Sequence, residues 1–295
     1  MPNWTALILL FGLTLVWGLN WPAMKIALNE LSVLWFRTIC LATGGSLLLL
    51  LTAFNGERVS IARHQVPALM LTAVFAIVGW HLFTGYGVSQ MAAGRAAIIA
   101  FLMPVFAAVF SSYLLDEPLT VSKVLGLAIG VFGLIILVGP EIVIIQRSPV
   151  GAFLMIGAAC SWALGTVLFK KFRWTSPIST VVGWQLLIGL LPVCLAALIL
   201  EPLPNVAAMS VNALLATTFV VLLPMVFGQW AFYKVVKLLP ASLAAMSTLA
   251  IPVVGVYSSA ILLGEAAGFR ELVALIAICT ALSIVVVVPS LKGRS

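Results

Sequence analysis

The sequence predicts an all-α integral membrane protein whose ten transmembrane helices form two inverted five-helix repeats. Three observations lead to this fold class: a strongly apolar composition, a series of long spans without charge, and a stretch of the chain that occurs twice. Hydrophobic residues make up 63% of the chain and charged residues 8%, whereas soluble domains carry about 25% charged residues. The composition therefore favours a protein whose surface faces lipid.

The charge-free spans use nearly all of the chain. They are Trp4–Met24, Thr38–Gly56, His64–Gly94, Ala96–Leu115, Val124–Pro140, Ser148–Phe169, Trp174–Leu200, Pro202–Tyr233, Leu238–Gly264 and Leu272–Leu291. Most reach the roughly 20 residues that a helix needs to cross the hydrocarbon core. We expect no soluble domain, because the connections are short. We also expect the first span to be retained, because it lacks the basic start and cleavage site of a signal peptide.

The stretch that occurs twice is an apolar helix with an early proline, a pair of serines and a glutamate at its end. The matched positions are Pro104 with Pro252, Ser111 with Ser259, and Glu117 with Glu265. A second, looser match pairs Trp17 with Trp162, each eight residues before a lysine. These matches predict two repeats, residues 1–145 and residues 146–295. Because each repeat has an odd number of spans, the second must be inverted in the membrane.

The net charge of +7 is a signal of topology and does not indicate a nucleic-acid partner. If the N-terminus lies inside, the inner side receives Arg58, Arg63, Lys123, Lys170, Lys171, Arg173, Lys234, Lys237, Lys292 and Arg294. The outer side receives Lys25, Arg95, Arg147 and Arg270. Since cytoplasmic loops carry an excess of Lys and Arg, we expect both termini in the cytoplasm.

Motifs of the common hydrolytic enzymes are absent from the sequence. Neither G-x-x-x-x-G-K-[ST], H-E-x-x-H nor G-x-S-x-G occurs, and the chain has only two histidines, His64 and His81. All four cysteines fall inside apolar spans, where they are expected as small packing residues. We therefore expect no catalytic site, no cofactor and no metal.

Polar and aromatic side chains within the spans form the predicted substrate site. They are Trp17, Asn20, Trp80, His81, Tyr86, Ser161, Trp162, Gln229 and Trp230. A zwitterionic amino acid needs donors for its carboxylate, acceptors for its ammonium and an apolar wall for its side chain. Asn20, His81 and Gln229 can supply neutral hydrogen bonds, and tryptophan faces can receive an ammonium. The alternative is structural, with tryptophans as interfacial anchors and the histidine bonded to a neighbour.

Charged residues near these spans leave two questions open. The second predicted helix runs from about Leu31 to Phe54 and contains one arginine, Arg37, whose side chain either reaches the headgroups or lines a polar cavity. His81 is the candidate for proton coupling, because an imidazole can titrate near neutral pH. No Asp or Glu lies in the middle of a span, so a facilitator that lets solute run down its gradient is an equal alternative. Glu117 and Glu265 are expected to contact headgroups or nearby amides.

Three segments resemble the EamA family of the drug/metabolite transporter superfamily. They are Leu15–Trp21, Met103–Phe106 followed by Leu114–Pro118, and Gly126–Gly133. Within the family the chain is most similar to the YddG-type exporters of aromatic amino acids. The resemblance implies ten helices, cytoplasmic termini, a cavity lined mainly by helices 1, 3, 4, 6, 8 and 9, and metabolite efflux across the bacterial inner membrane. In the second half, Ala163 and Gly165 replace Gly18 and Asn20, so we expect an asymmetric cavity.

The predicted function is export of amino acids (aromatic, threonine- or methionine-like) or related small metabolites by alternating access. One alternative is a multidrug exporter of the same superfamily, although such pumps usually hold their cation with an acidic residue inside the membrane. Another is a membrane enzyme or assembly partner that moves no solute. Lipid and a small molecule are the expected partners. The fifth and tenth predicted helices, about Val121–Val138 and Phe269–Val288, are interpreted as scaffold or as the surface of a homodimer. The protein is accordingly expected to be a monomer or such a dimer.

Overall fold

The structure is a computed structural model that describes residues 4–116, 120–143, 149–231 and 250–284. Every regular element in these ranges is helical. In chain order the helices are α1 (Trp4–Leu28), α2 (Val33–Phe54), α3 (Val66–Ala73), α4 (Trp80–Gln90), α5 (Ala93–Ala100), α6 (Met103–Leu114), α7 (Val121–Val143), α8 (Val150–Lys171), α9 (Ile178–Leu200), α10 (Val211–Val220), α11 (Ala250–Leu263) and α12 (Phe269–Leu282). Glu117, Lys234, Lys237 and both chain ends lie outside the described residues.

Seven helical stretches in the described part of the chain are long and apolar enough to cross a membrane. They are Ile8–Leu28, Val33–Phe54, Arg63–Gln90, Ala93–Leu114, Val150–Lys171, Ile178–Leu200 and Val211–Ala231. Two shorter apolar helices cover Val121–Leu137 and Ala250–Leu263. Large apolar side chains such as Phe11, Leu198 and Ile261 are exposed on the outside of the bundle. The expected all-α, multi-pass membrane class is confirmed, and the count of ten spans stays a prediction.

The first copy of the repeated stretch is interrupted, although the sequence predicts one continuous helix there. The chain turns at Phe101 and Leu102, between α5 and α6. Pro104 stands in the first turn of α6 and has no N–H to give to the Ala100 carbonyl, which favours a break at this point. The N–H of Leu102 instead bonds the Ile99 carbonyl at 3.0 Å. In the second copy, Pro252 is the third described residue of α11, and the residues before Ala250 lie outside the described part of the chain.

Two π-helical segments interrupt two of the membrane-length helical stretches at matching places. Val74–Gly79 joins α3 to α4, and Val221–Gly228 follows α10. Their starts are 147 positions apart, close to the 148 positions between the two repeat prolines. A π turn shifts the backbone hydrogen bonds and changes which carbonyls are satisfied within the helix. The two π segments thus have nearly the spacing that the predicted repeat requires.

Each π segment receives a hydrogen bond from a side chain of the other half of the chain. The Ser161 hydroxyl on α8 donates to the Phe75 carbonyl at 2.8 Å. The Trp17 indole on α1 donates to the Pro224 carbonyl at 3.3 Å. A glycine ends each segment, and a Cβ at Gly79 or Gly228 would collide with the donor side chain. Helices α1 and α8 are thereby held against the π segments of the opposite half.

Helices α1 and α8 also pack against helices of the opposite half of the chain. Helix α1 packs against α10 and α11, whereas α8 packs against α4 and α6. Gly165 on α8 stands where the repeat alignment places Asn20, and a Cβ there would lie 2.6 Å from the backbone nitrogen of Ala76. This contact explains the glycine, since α8 touches the backbone of the π segment directly. The small-residue face of α7 packs on α12, where a Cβ at Gly133 would lie 2.8 Å from that of Ala277.

Four glutamates, Glu30, Glu201, Glu265 and Glu271, gather at one end of the bundle, which we call the carboxylate end. Glu265 accepts hydrogen bonds from the N–H groups of Ala93 and Gly94 at 2.7 and 2.9 Å, at the start of α5. The expectation that Glu265 contacts nearby amides is thus confirmed. Carboxylates favour helix N-termini because the unpaired N–H groups and the helix dipole are positive there.

Two further carboxylates of this end follow the same principle. Glu201 accepts from the N–H of Trp35 at 3.2 Å, near the start of α2. Glu30 accepts from the N–H of Ser210 at 2.7 Å, just before α10. Hydrogen bonds from the hydroxyl and amide of Ser210 lower the pKa of the Glu30 carboxyl. Lys25 completes the end from α1, donating to the Val88 carbonyl at 2.7 Å near the end of α4.

We predict that Gly165→Ala lowers the thermal stability of the protein, whereas Gly157→Ala on the same helix does not. A Cβ at position 165 would press on the Ala76 backbone, but one at position 157 would lie 3.5 Å from the Phe83 ring, an ordinary contact. Overpacking of this kind costs about 1–3 kcal/mol. Thermal unfolding of the purified protein in detergent measures the difference. Equal melting temperatures for the two variants would refute the close crossing of α8 and the π segment.

Candidate substrate cavity

A cavity of about 120 Å³ lies between the two halves of the chain. Its wall is built from α1, α2, both π segments with the residues next to them, the start of α6, the middle of α8 and of α9, and the start of α11. Most of the lining is aromatic or aliphatic, and a few polar groups interrupt it. This composition is typical of a small-molecule site, where an apolar wall supplies contact and a few polar groups fix orientation.

Six of the nine predicted site residues line this cavity. They are Trp17, Asn20, Trp80, His81, Trp162 and Gln229. Trp80 and His81 are the first residues of α4 after one π segment, and Gln229 is the first after the other. The rings of Trp80 and Trp162 come from different halves and lie 5.0 Å apart, tilted by 56°. Both halves therefore contribute aromatic and polar groups to one space.

The other three predicted residues lie outside the cavity. Helix geometry explains two of them, and a hydrogen bond engages the third. Tyr86 follows His81 by five residues, about 140° further round a helix, and is 36% exposed. Trp230 follows Gln229 directly, about 100° further round, and is 38% exposed. Ser161 is buried and gives its hydroxyl to the Phe75 carbonyl. These residues were predicted from their polar or aromatic type alone. Whether a side chain lines the cavity also depends on the face of the helix that carries it.

Trp21, Met24, Ile77 and Thr84 also line the cavity and were not among the predicted residues. A signal for them was present in the sequence. Starting from Trp17, the lining positions on α1 follow the spacing i, i+3, i+4, i+7 that marks one face of a helix. The residues from Ile77 to Thr84 repeat the same spacing. On α1, extending the spacing from Trp17 and Asn20 gives Trp21 and Met24. Around the start of α4, extending it from Trp80 and His81 gives Ile77 and Thr84.

Arg37 lines the cavity too, which decides between the two interpretations of this residue. Its side chain is 3% exposed, so it does not reach the headgroups. Its Nε donates to the His81 carbonyl at 2.9 Å, and its Nη2 donates to the Thr84 hydroxyl at 2.7 Å. Gly85 leaves room for this approach, because a Cβ there would lie 3.2 Å from Nε. Arg37 thus ties α2 to α4 beside the cavity.

Two side-chain polar atoms of residues that line the cavity have no hydrogen-bond partner among the described residues. They are Oδ1 of Asn20 and Nδ1 of His81, and both atoms are buried. Buried polar atoms are nearly always satisfied in native proteins, so an unpaired pair in one cavity wall indicates a place for water or a ligand. No carboxylate belongs to the described lining. The cavity therefore presents hydrogen-bonding groups and one positive charge to whatever occupies it.

Comparison with known proteins assigns the family. The profile of the EamA-like transporter family matches residues 4–139 and 149–287. The uncharacterized transporter YvbV of Bacillus subtilis is 31% identical over 95% of this chain and 91% of its own. A protein of Salmonella typhimurium named "Probable amino-acid metabolite efflux pump" is 28% identical over 85% of this chain and 84% of its own.

A solved structure shares the fold, with a TM-score of 0.69 at 18% identity over 100% of both chains. The sequence matches extend over both halves of the chain and include both π segments and the cavity residues on α1, α4 and α8. The chain belongs to the EamA-like transporter family.

Proposed function

We propose that the protein is a secondary transporter that exports amino acids or related small metabolites across the bacterial inner membrane. The observation that carries this proposal is the cavity between the halves, which combines tryptophan walls with Asn20, His81 and Gln229. Such a set can hold a small solute with both polar and apolar parts. The name of the Salmonella relative supports the same class of solute. The absence of a carboxylate from the described lining disfavours the multidrug alternative, since an apolar cation finds no counter-ion there.

The proposal includes the architecture that would move the solute. Two inverted five-helix halves, residues 1–145 and 146–295, exchange conformations and open the cavity to either side in turn. Three observations support it: the family profile matches two successive segments, the π segments occupy matching positions, and each half donates a side-chain hydrogen bond to the π segment of the other.

We predict that the connection between α8 and α9 faces the cytoplasm and the connection between α9 and α10 faces outward. Arg173 and Asn205, both exposed, lie in these connections. In a cysteine-free background, Asn205→Cys should react with a membrane-impermeant maleimide in intact cells. Arg173→Cys should react only after the cells have been permeabilised. The reverse pattern would contradict the cytoplasmic placement of the termini.

Substitutions in the cavity should reduce transport. We predict that Trp17→Ala, His81→Ala and Gln229→Ala each lower flux in proteoliposomes by about tenfold, equivalent to about 1.4 kcal/mol of lost interaction. Tyr86→Phe and Trp230→Phe are matched controls, because these residues share helical segments with the tested ones but lie outside the cavity. Counterflow of labelled phenylalanine, threonine and methionine measures the effect. Normal flux in all three cavity variants would show that the solute binds elsewhere.

Transport should not require a proton gradient. No acidic residue belongs to the described lining, and carboxylates are a common means of coupling solute to protons. We therefore predict saturable counterflow in proteoliposomes at equal internal and external pH, with the same rate after a pH gradient is imposed. Flux that is observed only when a pH gradient is imposed would contradict this prediction and would make His81 the proton-binding residue.

A further inference from the structure

We infer that Arg37 binds a carboxylate of the transported solute, so that the cavity selects molecules with a free carboxylate group. This inference rests on the proposed transport function and names the chemical class of its solute. Arg37 is the one cationic side chain in the described lining of the cavity. At 3% exposure it is also more deeply buried than the surface arginines of the connections.

The guanidinium is held in place by neutral groups. Nε donates to the His81 carbonyl and Nη2 to the Thr84 hydroxyl, while the Met24 sulfur lies 2.8 Å from Nη2. The Thr84 hydroxyl gives its own proton to the Trp80 carbonyl at 2.7 Å, which leaves its oxygen free to accept from Arg37. The orientation of the side chain is thus fixed from α4. A positioned guanidinium loses little freedom when it binds a ligand.

One terminal nitrogen of Arg37 remains for a ligand. Among the described residues, Nη1 donates to no protein atom, while Nε and Nη2 are both engaged. A guanidinium nitrogen of this kind carries two N–H groups, and carboxylate oxygens are its strongest partners. Because Arg37 lines the cavity, a solute there can bring an oxygen to this nitrogen without displacing the bonds that hold the side chain.

The charge of Arg37 has no counter-ion among the residues that the structure describes. None of its described partners is a carboxylate, and the described ion pair of Arg95 with Glu271 lies at the carboxylate end. Burying a cation without an anion is unfavourable, and inside a membrane such residues mark pathways for solutes or ions. A solute carboxylate would supply both the missing negative charge and the missing acceptor.

The rest of the cavity complements the remainder of such a solute. The unpaired Oδ1 of Asn20 can accept a hydrogen bond from an amino or hydroxyl group. The paired rings of Trp80 and Trp162 offer an apolar wall and faces that attract an ammonium. If Arg37 merely tied α2 to α4, the cavity would have no preference between a carboxylate and its neutral amide. The choice between these two ligands therefore tests the inference directly.

Binding of four related probes to the full-length protein in detergent makes this test. The probes are phenylalanine, 3-phenylpropionate, phenylalaninamide and phenethylamine, which differ in their carboxylate and amino groups. A ligand that binds the folded state raises the melting temperature in a manner set by its concentration and affinity. We expect the two carboxylates to bind about 10- to 100-fold more tightly than phenylalaninamide, as is typical of a hydrogen bond to a charged group. Phenethylamine should show no measurable binding.

Variants separate the charge from its position. Arg37→Gln should abolish the preference for the carboxylates, and Arg37→Lys should restore some of it. Gly85→Ala keeps the charge but places a Cβ 3.2 Å from Nε and 2.5 Å from a methyl carbon of Val33, so it should weaken carboxylate binding. Arg58→Gln removes an equal charge from an exposed position and should change nothing.

Equal binding of phenylalanine and its amide by the unaltered protein would overturn the inference, as would no binding of either carboxylate. A carboxylate preference that survives Arg37→Gln would also overturn it. The proposed function fails separately. If 3-phenylpropionate binds through Arg37 but no amino acid moves in counterflow, Arg37 remains a carboxylate ligand and the assignment as an amino acid exporter is wrong.

Discussion

The need to satisfy backbone hydrogen bonds away from water is the constraint on which this structure depends. An unpaired carbonyl in hydrocarbon costs several kcal/mol, a large fraction of the stability margin of a small domain. The two π segments depart from the regular α-helical ladder, and the structure meets this need with Ser161 and Trp17, one donor from each half. Since both donors reach carbonyls of the opposite half, α1 and α8 pack against the π segments of that half. The same two helices contribute Trp17 and Trp162 to the wall of the cavity.

Much of the fold could be predicted because the signals were local. Long charge-free spans predicted most of the described helices to within a few residues, and the recurring tryptophans, together with His81 and Gln229, led to most of the polar cavity lining. The face of each helix was harder to predict. Tyr86 and Trp230 share helical segments with cavity residues, but a rotation of 100° or more removes them from the lining, as expected for about 3.6 residues per turn.

Contacts between distant residues were beyond the sequence alone. The position of Arg37 depends on Gly85, 48 positions away, whose missing Cβ lets the guanidinium reach α4. The break at Phe101 and Leu102 comes just before Pro104, and the apolar span gives no other sign of where the helix stops. The glycine at position 165 is explained by the nearby backbone of Ala76, a contact that no pattern within α8 reveals.

At the carboxylate end the helices are joined by hydrogen bonds from amides and hydroxyls to carboxylates, whereas in the middle of the bundle side chains donate to the carbonyls of the π segments. Several hydrogen bonds of the carboxylate end join residues more than 160 positions apart, such as Glu201 with Trp35 and Glu265 with Ala93. Hydrogen bonds of this kind contribute about 0.5–3 kcal/mol each, because water replaces either partner when they separate. The carboxylate end is therefore held by several separate hydrogen bonds, each of which contributes a small free energy. Because these hydrogen bonds are independent of one another, the helices at this end can separate one bond at a time. The free-energy cost of separating them is then divided among several small steps.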